Sequence, residues 1–154
     1  MRRNSWSGML LLAGLPSSSV LICVHLWLAF DGRLGRGAEG QNVRRAEQRF
    51  DEVYRLGSEA SGLDLQHLCF ESPLEDLVDT EVQQPALVAT SLAILAALRA
   101  DGLEPDVVVG HSVGEFAALA SVGAIGTGEA IGLVRERGLA MAEAARLHPG
   151  AMAA

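Results

Sequence analysis

The run PDVVVGHSVGEFAALASVGAI at residues 105–125 constrains this chain more than any other stretch. Val107, Val108 and Val109 are three successive β-branched residues, and a strand so short and apolar is expected to be buried. Small residues then take over. Gly114, Ala117, Ala118 and Ser121 fall at i, i+3, i+4 and i+7, a strip that lets a helix sit close against a sheet. Between strand and helix, Gly110 and Gly114 flank Ser112 in a G-x-S-x-G pattern. Glycines there permit a bend that a Cβ would obstruct, and the serine is held at the apex with Oγ exposed. Two uses of Ser112 stay open at this point. It is a nucleophile, with the Val113 N–H and the helix dipole aimed at a developing oxyanion, or it is the N-cap of the helix. His111 is a poor base for it, because adjacent residues on a strand point to opposite faces. Glu115 lies in the first helical turn, where the dipole alone favours a carboxylate.

The flanking segments alternate with this unit as an α/β arrangement. Val43, Ala46, Phe50, Val53 and Tyr54 recur at helical spacing, and Gly57 offers a stop. Pro85 is expected in the first turn of a helix that Gly102 closes. That helix is apolar nearly all round, so it should be buried on more than one side. A further helix is expected from about Gly128 to Arg146. On it Arg135, Glu136, Glu143 and Arg146 share a polar side, whereas Arg137 has Val134, Leu133, Met141, Ala130 and Ala144 three, four and seven residues away. A guanidinium on an apolar face needs a partner. Either it clamps a ligand carboxylate through two parallel hydrogen bonds, or it pairs with an internal glutamate, or it snorkels to water.

Composition removes whole classes of function. With 12 Lys and Arg scattered against 19 Asp and Glu, a net charge of −7, there is no basic stripe for nucleic acid. Cys23 and Cys69 form neither a CxxC pair nor a metal-ligand spacing and read as buried thiols in a reducing, cytoplasmic setting. Residues 1–41 are atypical. Their basic start and two apolar runs, split by Pro16, superficially resemble a signal peptide. Residues 9–30 could reach across a bilayer of about 30 Å, but Pro16 and His25 weaken that, so no membrane association is expected. The folded unit is expected from residue 42 to 154.

VGHSVGEFAAL, with QQPALVATSLAIL and LCFESP before it and LVRERG and PGAMAA after it, resembles the malonyl-CoA:acyl carrier protein transacylases of fatty-acid synthesis and the acyltransferase domains of polyketide synthases. The resemblance covers about residue 46 to the end, in family order, and the GHSxGE elbow is narrower than G-x-S-x-G. It implies a partial α/β-hydrolase-like acyltransferase fold: a parallel strand, a nucleophile elbow of Gly110, His111 and Gly114, and flanking helices, without the ferredoxin-like subdomain. It implies Ser112 as the acyl-carrying nucleophile, Val113 as an oxyanion-hole donor and Arg137 as the grip on the malonyl carboxylate. The partners implied are malonyl-CoA and the phosphopantetheine arm of acyl carrier protein, with no metal or other cofactor.

Two family features have no match. The GQGSQ loop that supplies a second oxyanion donor is absent from residues 1–45, and the catalytic histidine of the family falls beyond residue 154. Neither His148, His67 nor His25 has the context to replace it. A truncated chain, inactive or nearly so and prone to aggregate through exposed apolar surface, is therefore expected. The alternatives are a serine esterase or thioesterase of the α/β-hydrolase type, which would release its acyl group to water, and a non-catalytic fragment tethered to a membrane.

Overall fold

The computed structural model describes residues 26–29 and 39–150. Cys23, His25 and most of the apolar run at 9–30 lie outside the described residues. Strand β1 (Leu26–Ala29) is followed by α1 (Glu39–Ser61), α2 (Leu65–Phe70), a 3-10 turn at Leu74–Leu77, α3 (Thr80–Ala100), β2 (Val107–Gly110), α4 (Gly114–Ser121) and α5 (Thr127–Leu147). Helices α1, α3 and α5 pack against one another, and α4 carries the β2 side of the molecule onto them.

Helix α3 is the centre of the core. Val88, Ala89, Leu92, Ala93 and Leu95 are all buried on it, facing Val53 and Tyr54 of α1, Ala117 of α4 and Ile131 and Val134 of α5. An all-round apolar helix is thus covered from several sides, as its composition requires. Its length and hydropathy would also suit a membrane span, but half of its apolar window is buried inside the protein. A ring cluster ties α2 to α1: the Tyr54 ring lies 5.1 Å from that of Phe50 and 5.3 Å from that of Phe70. The Thr90 hydroxyl donates to Ala86 O and so accepts from Tyr54 Oη at 2.8 Å. Burial pushes the Tyr54 phenol up to about 12. Cys69 beside it is half-buried rather than fully buried, its thiol also pushed up by burial.

Three expectations about local structure need correction. Gly57 does not stop α1. It is buried inside the helix, where a Cβ would stand 2.8 Å from Ile131 Cδ1, so its small size serves packing; the helix ends instead at Gly62, in the left-handed region at φ +70°. Pro85 is not in the first turn of α3 but its sixth residue. An interior proline removes the hydrogen bond to the carbonyl four residues back and costs about 3 kcal/mol or more. Here that carbonyl, Glu81 O, accepts from Arg135 Nη1 of α5 at 2.7 Å. A side chain from the neighbouring helix replaces the bond that Pro85 lacks.

The third correction concerns the sheet. The strand was expected to be buried in a parallel sheet, yet β2 pairs antiparallel with β1, Leu26 opposite Gly110 and Ala29 opposite Val107. Val107 and Val109 are each 54% exposed. The two facts agree, because a parallel sheet needs cover on both faces while an antiparallel ladder tolerates one open face. Helix α4 lies against β2, and Val108 packs toward the core.

Helices α3 and α5 come close together at Gly138. A Cβ there would stand 2.6 Å from Glu81 Cα and 2.8 Å from Thr80 O, both backbone atoms. Gly138→Ala is therefore expected to force the helices apart and cost about 1–3 kcal/mol. A urea unfolding midpoint unchanged from the parent would refute that contact.

Candidate active site

The bend at residues 110–114 is built by backbone geometry. Ser112 has φ +56° and is the one non-glycine residue in the left-handed region among the described residues. A β-carbon disfavours this conformation by about 1–2 kcal/mol. The conformation persists because its surroundings hold it. Gly114 N–H donates to His111 O at 3.0 Å, Glu115 N–H to Ser112 O at 3.2 Å, and Ser112 N–H to the Glu115 carboxylate at 3.2 Å. Glu115 thus has a structural task, clasping the turn from the helix that follows. Gly110 lies so close beneath the turn that a Cβ would meet Gly114 O at 2.3 Å and Glu115 N at 2.5 Å. No side chain fits there.

This arrangement bears on the capping use of Ser112 alone. Ser112 does not cap α4: Val113, in helical conformation at φ −59° and ψ −29°, occupies the position before Gly114, and no side chain caps it. The exposed Ser112 Oγ instead accepts from Arg137 Nη2 at 3.2 Å. The turn uses the amides of Ser112, Gly114, Glu115 and Phe116; that of Val113 is not among them. Its N–H opens α4, at the positive end of the helix dipole.

Arg137 projects from the packed face of α5, as its neighbours predict, and is half-buried. The expected carboxylate partner is not what it meets. Its Nη1 makes a short hydrogen bond to Gln84 Oε1, so the guanidinium rests between a neutral amide and the Ser112 hydroxyl. Among the described residues no carboxylate pairs with it, so the internal ion pair is not what this geometry shows. Gln84 itself is 4% exposed, and its Nε2 donates to Thr80 Oγ1 at 3.0 Å and to Met141 Sδ at 3.3 Å. Sequence reasoning missed Gln84. The available signal was spacing: Thr80 and Gln84 on one helix, and Arg137 and Met141 on the other, are both i,i+4 pairs.

An apolar cavity of about 500 Å³ adjoins the bend, lined among others by Val113, Gly114, Ala117, Leu87, Thr90 and Cys69. A larger one of about 740 Å³ lies by Arg45, Arg49 and Arg99, between α1 and the far end of α3. It touches none of the residues at the bend, so size does not mark the site; chemistry does. No group of three or more His, Cys, Asp or Glu side chains among the described residues could hold a metal. The residues at the bend can present a hydroxyl, a helix-terminal N–H without a partner among the described residues and a positive charge to one small acyl group.

Residues 40–154 match the acyl transferase domain family. Among relatives, the chain is 40% identical over 122 residues to the malonyl CoA-acyl carrier protein transacylase of Bacillus subtilis (strain 168), covering 79% of this chain and 37% of that protein. Among solved structures, it is similar to an acyl carrier protein S-malonyltransferase from Vibrio cholerae, with TM-score 0.60 and 41% identity over 72% of this chain and 37% of that one. It is also similar to a malonyl-transacylase in complex with a type II PKS acyl-carrier protein, with TM-score 0.60 and 36% identity over 68% of this chain and 34% of that one. The chain therefore spans little more than a third of the length of these proteins.

Proposed function

Because the chain belongs to the acyl transferase domain family, we propose that it moves a malonyl group from malonyl-CoA to acyl carrier protein, in fatty-acid biosynthesis, through an ester on Ser112. The observation that carries this reading is the meeting of Arg137 Nη2 with Ser112 Oγ at 3.2 Å. A fixed cation stands beside a hydroxyl held at a strained bend, which suits an acyl group that itself ends in a carboxylate.

In the proposed reaction Ser112 Oγ attacks the thioester carbonyl and releases its proton to water, which returns one to the departing CoA sulfur. The carbonyl oxygen takes the negative charge and is met by the Val113 N–H. The C–S bond then breaks, and CoA leaves as its thiol. In the second half the phosphopantetheine thiol of acyl carrier protein attacks the ester carbonyl. The C–O bond breaks, Ser112 regains its hydroxyl, and malonyl departs as a thioester. Throughout, Arg137 holds the free carboxylate through two parallel N–H···O bonds. Gly110, His111 and Gly114 form the elbow that presents the hydroxyl, and no metal or redox cofactor enters a step. A thiol such as Cys69 is compatible with a cytoplasmic setting.

The test is incubation with malonyl-CoA labelled in the malonyl group, followed by mass spectrometry of the Ser112 peptide. A lasting label that holo acyl carrier protein removes is the expected result. Free malonate released without any acceptor thiol would instead identify a serine esterase or thioesterase, and a malonyl label on a residue other than Ser112 would overturn the assignment.

A further inference from the structure

Arg137 is oriented by a group that does not neutralise it. Gln84 is buried, and the direction of its amide is fixed from both ends: Met141 Sδ can only accept, so Nε2 faces it, while Arg137 can only donate, so Oε1 faces the guanidinium. Thr80 Oγ1 holds Nε2 as well, at 3.0 Å. The two helices that carry these residues are locked at the same level, through Arg135 on Glu81 O and the close approach of Gly138 to Thr80. A glutamate at position 84 would have nearly the same shape and would hold Arg137 equally well. It would also satisfy its charge.

We propose that Gln84 is a positioning and specificity-determining residue: by offering a neutral acceptor it aims Arg137 at Ser112 while leaving the guanidinium charge uncompensated for an acyl carboxylate. This rests on the reading of Arg137 given under the proposed function. Two properties of the site follow from it. The affinity of Arg137 for an incoming carboxylate depends on there being no anion of the protein already at hand, since opposite charges a few ångströms apart interact strongly in a partly buried setting. The aim of the guanidinium depends on the amide itself. Charge and aim can therefore be removed separately, by Gln84→Glu and Gln84→Met.

The experiment measures dissociation constants of malonyl-CoA and acetyl-CoA on the full chain, for the parent and both variants, by calorimetric titration. The readout is the ratio of the two constants. A change that merely loosened the fold would weaken both ligands together and leave the ratio in place. The parent is expected to favour malonyl-CoA. Gln84→Glu is expected to cut that preference about 100-fold, bringing it near unity, and Gln84→Met about 10-fold, because the charge survives but is no longer aimed. A folded Gln84→Glu chain that keeps the parental ratio overturns the inference; if that variant does not fold, Gln84→Met keeping the parental ratio overturns it. A parent with no preference for malonyl-CoA overturns the carboxylate clamp itself, and the role of Gln84 with it.

Discussion

Replacing Ser112 by glycine should leave a folded chain that carries no malonyl label and is about 1 kcal/mol more stable than the chain with alanine at the same place. The loss of label is complete because the variant has no oxygen to form the ester. The stability difference comes from the backbone. At φ +56° any β-carbon is strained by about 1–2 kcal/mol, whether it belongs to serine or alanine. Glycine relieves that strain, while its greater freedom in the unfolded chain returns about 0.5–1 kcal/mol. The exposed side chain has little packing to lose, so these two terms decide the sign. Urea midpoints of the alanine and glycine variants check it. Equal midpoints would mean that residue 112 is unstrained, and a label surviving on either variant would move the nucleophile elsewhere. Strain at this position makes physical sense only if something beyond stability keeps the serine there.

The acyl transferase family and the bend at residues 110–114 were legible because both are written in short-range patterns. The bend needs glycine at 110 for a reason visible in the motif, and the coordinates supply its measure: a β-carbon there would stand 2.3 Å from Gly114 O. Arg137 was legible from period alone, since a cation among Val134, Ala130 and Met141 has to meet something inside the protein. Its partner was not legible, because periodicity shows which face a residue occupies but not what crosses from the next helix. Gln83 and Gln84 are adjacent, and only tertiary packing makes the second buried and leaves the first exposed. Pro85 misled for a related reason. Proline marks a first turn when the helix must satisfy its own carbonyls, and here Arg135, fifty residues later in the chain, does so instead. The direction of strand pairing was beyond reach for the valines, which favour either ladder; the exposure of Val107 and Val109 depends on what covers β2, not on their own chemistry.

Arg137→Ala should lower Ser112 acylation by malonyl-CoA about 10- to 150-fold while affecting acylation by acetyl-CoA far less. The estimate follows from removing a charged hydrogen-bonding partner, worth about 1.5–3 kcal/mol, from one acyl group that needs it and another that does not. The variant has a second consequence that must be separated from the first. Gln84 Oε1 is buried and would lose its donor, at a further cost of about 1–3 kcal/mol in fold stability. That cost falls on both substrates alike, so the ratio of the two acylation rates isolates the clamp. Arg137→Lys sharpens the point. Lysine keeps the charge but offers a single mobile ammonium in place of two parallel donors, and it cannot span Gln84 and Ser112 in the same way. It should restore part of the fold stability yet recover little of the malonyl preference. If alanine depresses both acylations equally, or lysine restores the preference in full, then Arg137 contributes only local charge or packing, and the carboxylate of the substrate is recognised elsewhere.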